Sequence, residues 1–269
     1  MSAPTIAVPL STETEIIGSA TELIGIGEQR LGEVAAALAG VLDPELDRPI
    51  TELGFVRGIT VSDADVKVRL RLPTYFCAPN FAWLMVDDCQ RTLAALPWSR
   101  QVTVVLEDHF AAAEINRGVA AGERFADAFP LLADADGLQE LRAKFLRKGL
   151  LAAQACAVTR LQESGWTDIR IAGATLGELP RAQAAKLIRR RTTLGLTAEA
   201  GDPAFTDEHG APVPAEAMRD HLRRCRTTAV GVSANNQICQ GLLAARYGDG
   251  DSGSDGEVRF VDRPEGGIR

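Results

Sequence analysis

From Phe55 to Leu72 apolar and polar residues alternate on both sides of Ser62-Asp63-Ala64-Asp65, a pattern that constrains the fold more than any other stretch. Phe55-Val56, Ile59 and Val61 precede the turn, and Val66, Val68, Leu70 and Leu72 follow it. A period of two puts one apolar set on one face of a strand, and the intervening Ser and Asp residues form turns, so the segment reads as a β-hairpin. Its buried face needs a cover, and the flanking sequence supplies two. Gly32 to Val41, GEVAAALAGV, has helical propensity and must stop before Asp43-Pro44. After the loop Pro73 to Ala78, Pro79 suits the first position of a helix that runs to about Leu96 and is ended by Pro97. Ala82, Val86, Cys89, Leu93 and Leu96 share one stripe of that helix. Gln101 to Leu106 alternates as a third strand. The expectation is a small α-β-β-α-β domain, its three-stranded sheet covered on one face by helices and closing near Phe110.

The remainder reads differently. Residues 111 to 129, 138 to 164, 181 to 194, 214 to 229 and 233 to 247 suit helices separated by Gly, Pro and Asp, and Thr167 to Ala172 suits a short strand or a loop. The fold class expected is therefore α+β, an α/β domain followed by a mostly α-helical one. The divisions expected are an N-terminal arm over 1–27, the α/β domain over 28–110, the helical domain over 111–247 and a disordered tail over 248–269, where GDGDSGSDGE has no means of forming a core. Aromatic residues are scarce, so both cores should be built from small aliphatic side chains.

A net charge of −7 argues against a general nucleic-acid binder. Met1 to Ser11 lacks a basic start followed by an apolar core, and no window reaches the roughly 18 apolar residues of a membrane span. Five cysteines, odd in number and irregularly spaced, do not form a secreted disulfide framework. A soluble protein of the reducing cytoplasm is expected, with neither nucleic acid nor membrane as partner.

Three segments in order carry a family resemblance: Asp43-Pro44-Glu45 after the first helix, Ile50-Thr51-Glu52-Leu53-Gly54-Phe55-Val56 before the hairpin, and Pro73-Thr74-Tyr75-Phe76-Cys77-Ala78-Pro79 after it. Over Val34 to about Phe110 the chain resembles the small iron-sulfur (metal-sulfur) cluster assembly family, domain of unknown function 59, which includes SufT-like and PaaD-like proteins. That family places Cys directly before Pro, whereas Ala78 intervenes here, and Glu107-Asp108-His109-Phe110 replaces its Asp-Pro-aromatic exit. The resemblance implies a non-enzymatic maturation factor that assists assembly or insertion of an iron or iron-sulfur centre. It implies Cys77 as the metal or sulfur ligand, with Asp43, Glu45, Glu52 and Thr74 around the cargo, which would be held only transiently. The client implied is a metalloenzyme, with an oxygenase component as the candidate, and a homodimer is compatible with a single-thiol site.

Read for their own chemistry, the same residues leave alternatives open. Cys77 precedes an expected helix N-terminus, where unpaired N–H groups and the helix dipole favour a thiolate, or it fills a gap as free Cys often does. Asp43 and Glu45 are ligands, anchors of the Cys77 loop, or caps of a turn, since Asp before Pro commonly opens one. Glu52 faces the same choice, and Gly54 should adopt a conformation closed to other residues. His109 and Asp108 end the third strand, where they share a rim with Cys77 or are merely exposed. Cys156 and Cys225 fall on apolar stripes and should be buried. Asn235-Asn236-Gln237 before Cys239 should start a capped helix or line a polar pocket. Arg189-Arg190-Arg191 and Arg223-Arg224 with Arg226 form solvated helix faces or dock an acidic client. Besides the maturation factor, the sequence admits a client-binding chaperone without metal chemistry and, last, a Cys77/His109 hydrolase.

Overall fold

The computed structural model describes residues 20–132, 137–248 and 259–260. Its elements in chain order are α1 (Ala20–Leu38), β1 (Leu42–Asp43), β2 (Arg48–Pro49), β3 (Val56–Ser62), β4 (Asp65–Arg71), α2 (Pro79–Ala94), β5 (Gln101–Glu107), α3 (Ala112–Ala120), α4 (Phe125–Ala128), α5 (Gly137–Glu163), α6 (Asp168–Ala172), α7 (Arg181–Thr193), α8 (Met218–Tyr247) and β6 (Arg259–Phe260). The α+β class expected from the sequence is the one found. Two compact units result: one holds the chain to Leu42, Arg48–Pro130 and the residues from Leu242, the other Asp43–Asp47 with Leu131–Gly241. Among the described residues no helix is long and apolar enough to cross a membrane.

In the first unit β3 and β4 form the hairpin, closed by the Ser62–Asp65 pair, with Asp63 at φ 53°. Asp tolerates that left-handed conformation because its short side chain bonds locally. The register shifts between Val56 and Gly58, a bulge that raises local twist. α2 then crosses over and returns β5 parallel to β4, from Asp65↔Gln101 to Arg71↔Glu107, giving the order β5-β4-β3-β6. The open edge of β5 is capped at one point by Asn116 of α3, whose side chain accepts from Leu106 N at 2.8 Å and donates to Leu106 O at 3.0 Å. Val61, Val68 and Leu70 from the sheet, Val34 and Leu38 from α1, and Val86, Cys89 and Leu93 from α2 are all buried. Trp83 lies under Gly118 of α3, where an added Cβ would meet the indole at 2.6 Å, and its ring meets Phe125 and Phe129 edge-on. Only a glycine admits so close a crossing.

The second unit packs α5, α6, α7 and the first turns of α8, Met218 to Cys225, around Leu150, Val158, Leu161, Ile171, Leu187, Phe205 and Leu222. A polar knot sits among them. Gln154 donates to Thr206 O at 2.9 Å and accepts from Thr206 N at 3.2 Å, while His221 Nε2 lies 2.9 Å from Gln154 Oε1 and 3.3 Å from Cys225 Sγ.

Several expectations are corrected. The first helix starts at Ala20, twelve residues before Gly32, because nothing between Ala20 and Leu38 breaks it, so the arm over 1–27 lies outside the described residues only to Ser19. The tail over 248–269 is likewise outside them except for Gly248 and β6, which pairs parallel with β3. Residues 111–129 form two helices rather than one, since Gly122 turns left-handed at φ 68° between them. Thr167 to Ala172 is a helical turn, not a strand: Thr167 Oγ1 caps Arg170 N. A single α8 replaces the two helices over 214–229 and 233–247, so Asn235-Asn236-Gln237 starts nothing. Neither Gly231 nor the polar run contains a proline, and glycine alone costs a helix only about 1 kcal/mol.

Candidate functional site

The loop Pro73–Ala78 leaves β4 and enters α2, and its place is fixed from the neighbouring strand exit. Pro79 occupies the first turn of α2, where its missing N–H is no loss, and Ala78 is the N-cap. Ala78 O accepts from Phe81 N and Ala82 N at 3.0 and 3.1 Å. Cys77 therefore sits one residue outside the helix. Its Sγ lies 3.3 Å from Thr74 Oγ1 and the residue is part exposed. Cys77 and Thr74 are thus brought together, as expected for residues three apart in a tight loop.

His109 is buried at the end of β5 and donates from Nε2 to Cys77 O at 2.7 Å. Its Nδ1 accepts from Ala111 N at 3.2 Å, which fixes the Nε2–H tautomer. Burial lowers the imidazole pKa, against the bond to Cys77, and the charge of Arg246 lowers it further, so the ring is neutral at neutral pH. With both nitrogens committed to backbone groups, His109 fixes the loop rather than activating the thiol. The hydrolase arrangement considered from the sequence needs a base on Sγ, and this ring is not one. A second tie, Phe110 N to Tyr75 O at 3.1 Å, repeats the link two residues along.

Tyr75, Phe76 and Phe110 surround this loop as an exposed aromatic cluster. Phe76 is 76% exposed, and the three ring centroids lie 5.0 to 6.3 Å apart. In a chain with few aromatic residues, placing two of them beside Cys77 and a third just past His109 is a signal the sequence carried and the motif reading passed over. Arg246, also missed, closes the rim from the last turn of α8. It donates to Asp108 O at 2.9 Å and to Leu72 O at 3.5 Å, the two strand exits, while Tyr247 lies under the Arg71 guanidinium. Gly54 lies against Leu243 of the same turn at φ +74°, the left-handed conformation expected of it.

The carboxylates have other engagements. Glu52 pairs with Arg48 at 3.2 Å on an exposed surface. Asp43 is buried and its Oδ1 accepts from Glu45 N at 2.9 Å and Leu46 N at 2.7 Å, so it caps the turn Asp43–Asp47. Burial pushes its carboxyl up to about 6, against those two bonds. Glu45 accepts from Asn235 at 3.1 Å, and Asp47 pairs with buried Arg190. That turn thus packs with the helical unit. Among the described residues no group of three or more His, Cys, Asp or Glu gathers at metal-binding range.

Elsewhere, Cys225 is buried as expected, and burial raises its thiol to about 11. Cys156 is exposed, contrary to its stripe: α5 buries nearly every residue from Gly149 to Val158, and position 156 is the one turned outward. Arg190 and Arg191 are buried rather than solvated; Arg191 donates to Pro203 O and Ala204 O at 2.7 and 2.9 Å.

Residues 32–105 match the family described as iron-sulfur cluster assembly protein. The chain is 30% identical over 91 residues to the chloroplastic Fe-S cluster assembly factor HCF101 of Oryza sativa subsp. japonica, a match spanning 33% of this chain and 17% of that protein. No solved structure matches the chain. The matched stretch begins within α1 and ends within β5, taking in the hairpin and the Cys77 loop. The likeness to the iron-sulfur cluster assembly family thus covers residues 32–105 of this chain.

Proposed function

We propose that the chain is a non-enzymatic maturation factor that presents an iron ion or iron-sulfur cluster to a client metalloenzyme, with Cys77 as the one protein thiolate on the cargo. The observation that carries this reading is the Cys77 loop itself. It is pinned by His109 and Phe110, keeps its thiol part exposed, and is framed by the aromatic rings of Tyr75, Phe76 and Phe110. A single thiolate holds a soft metal weakly, leaving the other positions to a small thiol, a second copy or the client, so the cargo can leave. The exposed rings supply the rigid apolar contact that seats a client beside the thiol. We place the protein in the cytoplasm and take an oxygenase component as the first client to examine.

The aromatic frame alone suits a chaperone that binds the client without touching its metal, and one experiment separates the two. The client is identified by co-purification with the wild-type chain, then isolated from cells carrying Cys77→Ser. Serine is nearly isosteric but is no thiolate at neutral pH. A soluble, folded client deficient in iron, restored by iron and sulfide in vitro, is the expected result. A fully loaded, active client would reject the thiol role and leave the chaperone reading.

A further inference from the structure

α8 carries a stripe that neither the fold nor the Cys77 site uses. At about 100° per residue, Arg219, Arg223, Arg226 and Val230 fall within roughly 60° of arc, and Ala234 continues the line. All five are exposed, Val230 to 68%, while the buried residues Met218, His221, Leu222 and Cys225 occupy a neighbouring arc of about 100° that begins roughly 40° beyond Arg226. Beside the stripe, between α5 and α8, runs a groove of about 510 Å³ lined by Ala155, Ala229, Val230, Thr159, Arg160 and Arg226, among others. Its floor is small and apolar, and at its rim Arg160 and Arg226 stand against one carboxylate, Glu163. Four arginines, 160, 219, 223 and 226, face two nearby carboxylates, Glu163 bonded to Arg160 at 3.1 Å and Asp220 to Arg223 at 3.4 Å. Arg219 and Arg226 make no ion pair among the described residues. This excess of positive charge stands on a chain of net charge −7.

We infer that the α5/α8 groove docks an acidic amphipathic helix of a partner protein, its apolar residues against Val230 and Ala229 and its carboxylates on Arg226, Arg160 and Arg219. Arginine is suited to this task, since its planar fork pairs with a carboxylate through two parallel hydrogen bonds. A helix laid in an apolar groove with charges at the rim is a recurrent recognition mode, and the rim charges select the partner. A second copy fits less well, because the groove and its stripe set four arginines against only two carboxylates, Glu163 and Asp220, each already paired with one of those arginines. Nucleic acid would use the arginines but leave the apolar floor uncovered.

The full-length chain is titrated into a fluorescein-labelled helical peptide with Leu on one face and Glu on the other, and into its twin with Lys in place of Glu, followed by anisotropy. Binding of the acidic peptide alone is expected, weakening with added salt. Arg226→Glu and Val230→Asp should each weaken it at least about tenfold, while Arg224→Glu, about 160° round the helix from Arg226, should leave it unchanged. Circular dichroism confirms that each variant is folded, and Arg226→Gln serves should Arg226→Glu unfold the unit. Equal binding of both peptides, or none, would overturn the proposal. So would insensitivity to Val230→Asp, competition by a single-stranded oligonucleotide, or a dimer in light scattering that Val230→Asp dissociates. The Cys77→Ser chain should bind the peptide normally, so this outcome is independent of the cargo reading.

Discussion

Each unit holds a cysteine beside a histidine, and the two pairs are built to opposite ends. In the first unit His109 donates to the backbone of Cys77 and leaves the thiol part exposed. In the second His221 lies 3.3 Å from the Cys225 thiol itself, yet Cys225 is fully buried and its proton is held tightly, with the pKa pushed up to about 11. A Cys–His contact in the core is therefore a packing device, tied through Gln154 to Thr206, whereas the pair without a side-chain contact frames a reachable thiol. What distinguishes them is solvent access and which atom the imidazole touches; proximity alone does not.

The largest test of this contrast is alkylation. Brief iodoacetamide treatment of the native chain, read by peptide mapping, should label Cys77 and the exposed Cys156, and should label Cys225 and Cys89 at least ~100-fold more slowly, because those two need an opening of the core. Comparable labelling of Cys225 would mean that the second pair is not sealed. Next in size is Gln154→Leu, which strands the Thr206 N–H and the His221 ring in the core. Denaturant unfolding should show a loss of about 2–4 kcal/mol, with Cys225 labelled faster and Cys77 unaffected. A loss below about 0.5 kcal/mol, the scale of ordinary surface changes, would show the knot to be incidental.

The smallest effect is expected from His109. Its pKa in the folded chain lies below the usual 6.5, so the unfolded chain takes up the proton first as pH falls. The stability it contributes is present above about 6.5 and is lost as pH drops below that value. His109→Gln should flatten stability between pH 7 and 5 and, by loosening the loop, alter the Cys77 alkylation rate several-fold. An unchanged pH profile together with an unchanged rate would remove His109 from the site.

Much of the first unit was legible because its signals are local. The alternation around Asp63-Ala64, Pro79 at a helix start and Gly54 at a left-handed position each follow from one residue's own stereochemistry. What escaped depends on long-range partners. Arg246 reaches Asp108 across 138 residues, and no pattern near Arg246 announces it. The Arg190-Arg191 pair looked solvated because charge runs usually are, until Asp47 and the carbonyls of Pro203 and Ala204 supplied partners. Cys156 was misread because a helix buried around most of its circumference has no single stripe to count on.

The turn Asp43–Asp47 has a consequence for how this chain comes into being. Its flanks, Leu42 and Arg48, belong to the sheet unit, but the Asp47 carboxylate is paired by Arg190, 143 residues further on. At a translation rate of roughly 5–20 residues per second, the ribosome needs on the order of ten to thirty seconds to deliver that arginine. Until then the nascent chain carries an acidic turn without its counter-ion, so the N-terminal part of the protein stays unfinished at one point while α5 and α7 are still being made.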